Sequence, residues 1–170
     1  MPMSGINKVE LKQYSTKNIK VFIVDSLFIR NNVDIRWGGG GHYLAFPEFI
    51  PKGEVWIGDE FTDDGKLNDD GKFYLYHELI ERREMSHGMS YDEAHYHIAN
   101  AAEQKARQGK GNIDKLIEGE LKKVTITLDP SIFNGQLKYH VDGKTHHANE
   151  MKKNRKMVDK CKSISLTTNG

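Results

Sequence analysis

A single cysteine, Cys161, stands in the 170 residues, so no internal disulfide can form. An excess of one charge is also lacking. There are 25 basic and 24 acidic residues, and the net charge of +1 gives no general reason to expect a nucleic acid or a membrane surface as partner. No run approaches the ~18 consecutive apolar residues of a membrane helix. The opening Met1-Pro2-Met3-Ser4-Gly5 has neither the basic segment nor the apolar stretch of a secretory signal. These absences lead us to expect a soluble protein of a reducing compartment, the cytoplasm. The hydrophobic share, 37%, is low, but a chain of this length buries a real core, and one domain is expected. There is no internal repeat and no long low-complexity segment.

Residues 1–18 are polar and are expected to be loosely attached. Ile19 to Ile29 is a β-branched and aromatic run that reads as a buried strand. Val33 to Trp37 alternates apolar and polar residues and reads as a second strand. Four glycines, Gly38 to Gly41, then precede His42. Ordering them costs entropy, so the segment is either a mobile hairpin connection or passes close to something, as the lid or wall of a site with His42 or Tyr43 directed at it. No Gly-Lys-Ser/Thr follows, which excludes a P-loop. Tyr43 to Phe46 reads as a short strand, Pro47 and Pro51 exclude a helix between them, and Glu54 to Gly58 reads as a strand. Asp59 to Gly71 is polar and reads as a loop. Further on, Gly109 and Gly111 break the chain and Asn112 can cap a helix from Ile113 to Lys122. Val124 to Leu128 alternates as a strand, Asp129-Pro130 turns, and Leu137 to His147 reads as a hairpin about Asp142-Gly143. Residues 151–170 are basic and weakly periodic and are expected to form a short helix followed by a disordered tail.

The most informative stretch is Tyr74 to Arg107, which reads as two helices joined at Gly88. Asp69 or Asp70 can cap the first, and His87-Gly88 ends it. Its residues Phe73, Tyr74, Leu75, Tyr76, Leu79 and Ile80 point nearly all round the axis, the pattern of a helix buried on most sides. His77, Glu78 and Glu81 sit inside that apolar part. Uncompensated buried carboxylates are very costly, and a divalent cation compensates them well. Residues 77 and 81 lie one turn apart on one face. The second helix opens with a capping box, Ser90 and Glu93, and carries the small residues Ala94, Ala99, Ala101 and Ala102. Folding the pair antiparallel about Gly88 brings Glu81 level with His95 and His77 level with Ala99. His77, Glu81 and His95 are therefore the candidate metal ligands, and Glu78 a candidate base beside them.

His77-Glu78-Leu79-Ile80-Glu81 resembles the His-Glu-x-x-His signature of zincin metallopeptidases, with Glu81 in place of the second histidine. The resemblance implies a zinc held by His77, Glu81 and His95, with a fourth position left for water, and Glu78 as general base. It also implies a β-strand ahead of the motif helix, often an edge strand that pairs with a peptide or protein substrate, a place Glu54 to Gly58 could fill. More loosely, the layout is similar to small phage and prokaryotic proteins that join a Gly-Gly-His strand region to a His-Glu-x-x-Glu-Arg helix, a likeness that brings no activity with it. The implied chemistry is metal-assisted hydrolysis, with His42, Tyr43, Tyr91 or His97 as candidates to stabilise the oxyanion.

Each of these residues also has a plainer reading. His77, Glu81 and His95 can form a metal-free ion network with Arg82, Arg83 or Lys105. Glu78 can pair with Arg82 four residues on. Glu103 is a surface charge, a fourth ligand, or a partner orienting His77. Glu84 and His87 have the spacing of a two-metal carboxylate site but lie at a helix end, and His140, His146 and His147 read as surface residues. The run Lys152-Lys153-Asn154-Arg155-Lys156 reads as solvated tail, with nucleic acid as the alternative partner. The sequence thus leads to a single α+β domain over residues 1–150. A small mixed or antiparallel sheet packs on the antiparallel helical pair, with a β-hairpin after it. The expected function is a zinc (or other divalent metal) hydrolase of peptidase type. The alternatives are a non-enzymatic interaction or phage-associated protein whose helical pair is locked by ions, and a nucleic-acid-associated protein using the tail.

Overall fold

A computed structural model describes residues 5–109, 111–123, 126–133, 136–141 and 144–147. The fold is α+β. Its main sheet has four strands, β1 (Lys8–Glu10), β2 (Lys20–Val24), β3 (Gly40–His42) and β4 (Glu54–Gly58), in the order β1-β2-β4-β3. β2 and β4 are parallel, and the outer pairs are antiparallel, so the sheet is mixed. β4 lies inside the sheet with Val55, Trp56, Ile57 and Gly58 all buried. The expectation that it is an edge strand is corrected, because β3 takes the outer position next to it.

The period of two along the strands divides the core. On one face, Val21, Ile23, Val55 and Ile57 pack with Leu75 and Leu79 of helix α2 (Asp69–Ser86) and Ile117 of helix α4 (Ile113–Leu121). On the other, Val24 and Trp56 pack with Ile29, Trp37, Tyr43, Phe49 and Ile50. The N-terminal segment is not loose from residue 5 onward: β1 pairs with β2, and Leu11 is buried in the first core.

The run Ile19 to Ile29 divides. The strand stops at Val24, and helix α1 (Ser26–Asn32) starts under the cap of Asp25, whose carboxylate accepts the Phe28 N–H at 2.8 Å. An apolar run is compatible with either state, and the capping aspartate decides it. Val33 to Trp37 is a turn, not a strand. Asp34 accepts from the Arg36 backbone and side chain, a local arrangement that competes with a sheet ladder. Tyr43 to Phe46 is likewise a turn, its Ala45 and Phe46 N–H groups returning to the His42 carbonyl. The polar stretch after β4 holds a 3-10 turn and a small hairpin, β5 (Thr62–Asp63) with β6 (Lys66–Leu67).

Asn68, rather than Asp69 or Asp70, caps α2 by accepting the Gly71 N–H at 2.8 Å. Gly88, at φ +96°, ends the helix in the left-handed region and turns the chain back. Ser90 and Glu93 form the expected capping box. The segment that follows is not α-helical throughout. Glu93–Ala99 is a π-helical stretch, with the Asn100 N–H reaching five residues back to the His95 carbonyl, and helix α3 (Asn100–Gln108) continues it. This segment and α4 both pack on α2, with Ala94 and Ala99 buried. The C-terminal strands β7 (Ile126–Phe133), β8 (Gln136–Val141) and β9 (Lys144–His147) form a three-stranded antiparallel sheet. Asp129-Pro130 lies at a register shift within β7 instead of making a turn. The turn at Asp142-Gly143, the tail 151–170 and the side chains of His140, His146 and His147 lie outside the described residues.

The glycine segment is not a hairpin connection but part of a wall, with Gly38, Gly40 and Gly41 lining a cavity beside α2. Gly40 and Gly41 are buried in β3 and paired with β4, Gly40 pressed under α2 and Gly41 against Phe46 and Trp37. A β-carbon on Gly40 would collide with the Tyr74 ring and stand 3.2 Å from Glu78 Oε1. Gly40→Ala is therefore expected to destabilise the fold by roughly 1–3 kcal/mol, the usual cost of overpacking. Urea unfolding checks it, and a midpoint equal to that of the wild type would contradict the packing described.

Candidate metal centre

Helix α2 directs His77, Glu78 and Glu81 into the interior, each 4% exposed or less. His77 and Glu81 share a face. The His77 Nε2 and Glu81 Oε2 atoms lie 3.3 Å apart. From across the Gly88 turn, the π-helical segment supplies His95, whose Nδ1 lies 3.1 Å from His77 Nε2 and 2.5 Å from Glu81 Oε2. The three residues proposed as ligands from sequence thus converge on one point. A tetrahedral ion with bonds of about 2.0–2.1 Å holds its ligand atoms roughly 3.3 Å apart. Both His77 edges of the triangle are close to that spacing, and the third is contracted.

Outer contacts fix the orientation of these groups. Glu103 Oε2 lies 3.0 Å from His77 Nδ1. Its other oxygen accepts from Arg107 Nε at 2.8 Å, and Arg107 also donates to Asp70 at 2.7 Å. With the Nδ1 proton given to Glu103, His77 keeps its Nε2 lone pair for a cation, the arrangement in which a carboxylate orients a metal-binding histidine. Of the three readings of Glu103, orienting partner is the one its contacts match. His42 is fully buried, and its Nε2 lies 2.9 Å from Glu81 Oε1. It therefore holds the Glu81 carboxylate and is not directed at a substrate oxyanion. Tyr43, the other residue considered for that wall, is buried in the second core, and His97 is exposed. Tyr91 stacks on the His95 ring with centroids 5.0 Å apart, while Tyr96 meets the same ring edge-on at 4.8 Å.

A cavity of about 240 Å³ opens on this cluster, lined by Gly38, Gly40, Gly41, Tyr74, Glu78, Glu81, Tyr91 and His95, with Arg36, Ala45 and Phe46. Glu78 Oε2 is buried without a hydrogen-bond partner, as is His42 Nδ1. The cations proposed for a purely ionic cluster are mostly elsewhere: Arg83 pairs with Glu84 and Glu120, and Lys105 is exposed. Arg82 is buried and adds positive charge near His42.

The electrostatics follow from this crowding. Burial, reinforced by the Glu81 charge, pushes the Glu78 carboxyl up to about 8. Burial opposes the ionised form of Glu81 too, but hydrogen bonds from His42 and His77 outweigh it and bring that carboxyl down to about 2. For His77, burial disfavours the cation, yet the bonds to Glu103 and Glu81 prevail and raise it to about 10. Burial lowers His42, only partly offset by its bond to Glu81. Without a cation, then, the cluster holds its protons on His77 and Glu78.

The residues that sequence reasoning missed are Arg107, Asp70 and Tyr96, together with the bond from His42 to Glu81. The i,i+4 spacing of Glu103 and Arg107 was a usable signal for the first. The other contacts join separate elements, and no local pattern encodes them. Comparison with protein-family models, curated proteins and solved structures finds no match to this chain.

Raised values on Glu78 and His77 carry a stability consequence of definite sign. The unfolded groups titrate near 4.5 and 6.5, the folded ones near 8 and 10. Between pH 6.5 and 8 the folded metal-free chain retains protons that the unfolded chain has released, so stability falls as pH rises. Thermal melts in chelator from pH 6 to 9 are expected to show a falling Tm, with a shallower fall in Glu78→Gln, whose side chain cannot ionise. A Tm that rises across this window would contradict the assignment.

Proposed function

We propose that the chain is a divalent-metal protein, with zinc the ion best suited to two imidazoles and one carboxylate, and that it hydrolyses a peptide or related carbonyl substrate. The observation that carries the reading is the convergence of His77 Nε2, Glu81 Oε2 and His95 Nδ1 within 3.3 Å, with the far atoms of His77 and Glu81 held by Glu103 and His42. Three protein ligands leave a coordination position for water, and the cavity provides it with room. The neighbouring Glu78 supplies a carboxylate whose oxygen has no other hydrogen-bond partner.

An ion held by His77, Glu81 and His95 would supply Lewis-acid chemistry, acidifying a water and polarising a substrate carbonyl. Glu78 would take one proton from the attacking water as its oxygen adds to the carbonyl carbon. Glu78 returns the proton to the leaving nitrogen as the C–N bond breaks. The likeness to the zincin signature agrees with these roles. One observation favours a second reading, a non-enzymatic ion network. A His77 raised to about 10 can satisfy Glu81 and Glu103 as an imidazolium without any metal.

Elemental analysis of purified, zinc-loaded protein separates the two. His77→Ala and His95→Ala are each expected to lower the zinc content by about one ion per chain, and absence of zinc under every loading condition would sink the proposal. Glu78→Gln is expected to keep the ion held by His77, Glu81 and His95 and to lose hydrolysis of a fluorogenic peptide library by roughly 10²–10⁴-fold. Metal binding with no hydrolysis of any peptide would leave the structural role alone. Glu103→Gln should weaken zinc affinity by roughly 10–100-fold in chelator competition, and an unchanged affinity would remove Glu103 from the centre.

A further inference from the structure

We infer that a second divalent cation binds beside the first, held by His42, Glu78 and the Glu81 carboxylate that both positions share. This rests on the reading of the first position as a metal centre and extends it.

The two oxygens of Glu81 face different partners. Oε2 is directed at His77 and His95, and Oε1 at His42 Nε2, 2.9 Å away. A carboxylate divided in this way has the geometry of a bridge between two cations, which in two-ion centres lie about 3.5–4 Å apart. Ligand atoms of His42, Glu78 and Glu81 all lie within 4.8 Å of one another. His42 is fully buried and Glu78 is 4% exposed.

The independent sign of a missing ligand is Glu78 Oε2, buried with no hydrogen-bond partner. Leaving such an oxygen bare is costly. An ion held by His42, Glu78 and Glu81 gives the Glu78 carboxylate a cationic partner, and a carboxylate has a second oxygen left to face the water of the first position. The other oxygen of Glu78 lies against strand β3, where a β-carbon on Gly40 would stand 3.2 Å from Oε1. The two positions also differ in chemistry. The first offers two imidazoles and one carboxylate, and the second one imidazole and two carboxylates. The harder second set suits manganese as well as zinc, which makes Mn²⁺ a probe that fills both.

Metal-free full-length protein is titrated with Mn²⁺, the bound ions are counted by elemental analysis after desalting, and the electron paramagnetic resonance spectrum is recorded. The expected result is two ions per chain with an exchange-coupled spectrum. In His42→Ala, and in the volume-conserving His42→Gln that keeps a donor to Glu81, one ion with an uncoupled six-line spectrum is expected. Saturation at one ion in the wild type, or two ions without coupling, overturns the second position and leaves the first standing. Two ions persisting in a folded His42 variant, or none retained by His42→Gln, overturns it as well. No ion bound to the wild type removes the first position together with the second.

Discussion

One carboxylate organises the interior of this protein. Glu81 stands in an apolar helix, and ring nitrogens of His42, His77 and His95 all approach within 3.3 Å of its oxygens. The three histidines come from strand β3, helix α2 and the π-helical segment after Gly88. A buried anion of this kind must be answered by positive charge, whether protons on the imidazoles or a metal ion. Its demand therefore ties together elements that are 39 residues apart in the chain.

The backbone is shaped to meet that demand. Gly40 lets strand β3 lie beneath α2 and leaves Glu78 against the strand, while Gly41 makes room on the other side for Phe46 and Trp37. On the opposite side, the π-helical stretch carries His95 and buries Ala94 and Ala99. Such widened turns are uncommon and cluster at functional positions. Arg107, Glu103 and Asp70 extend the polar chain from His77 to the surface, so the ring that matters most is held from outside as well as from within.

Much of this could be read in the sequence where the signal was local. Strand Glu54–Gly58, the Ser90 and Glu93 box, the Gly88 turn and the Asn112 cap are properties of short windows, and the structure keeps them. Polar residues at 77, 78 and 81 inside an apolar helix showed that something there needed compensation, and the turn at Gly88 brought His95 to the same level. Errors arose where one pattern fits two states. The apolar run from Ile19 to Ile29 continues through Asp25 from strand into helix. The alternation at Val33 to Trp37 is overruled by the Asp34 and Arg36 contacts.

The sequence by itself determined which residues form the His77, Glu81 and His95 cluster, the helix that presents them and the turn that returns the chain, because caps, periodicity and glycine conformation act over a few residues. The tertiary structure decided that Gly40–His42 is an edge strand and not a loop, that His42 holds Glu81, that Glu103 holds His77, and that the second helix widens at His95. Those outcomes depend on distances between elements far apart in the chain, and these are set only when the sheet and the helices close on a common core.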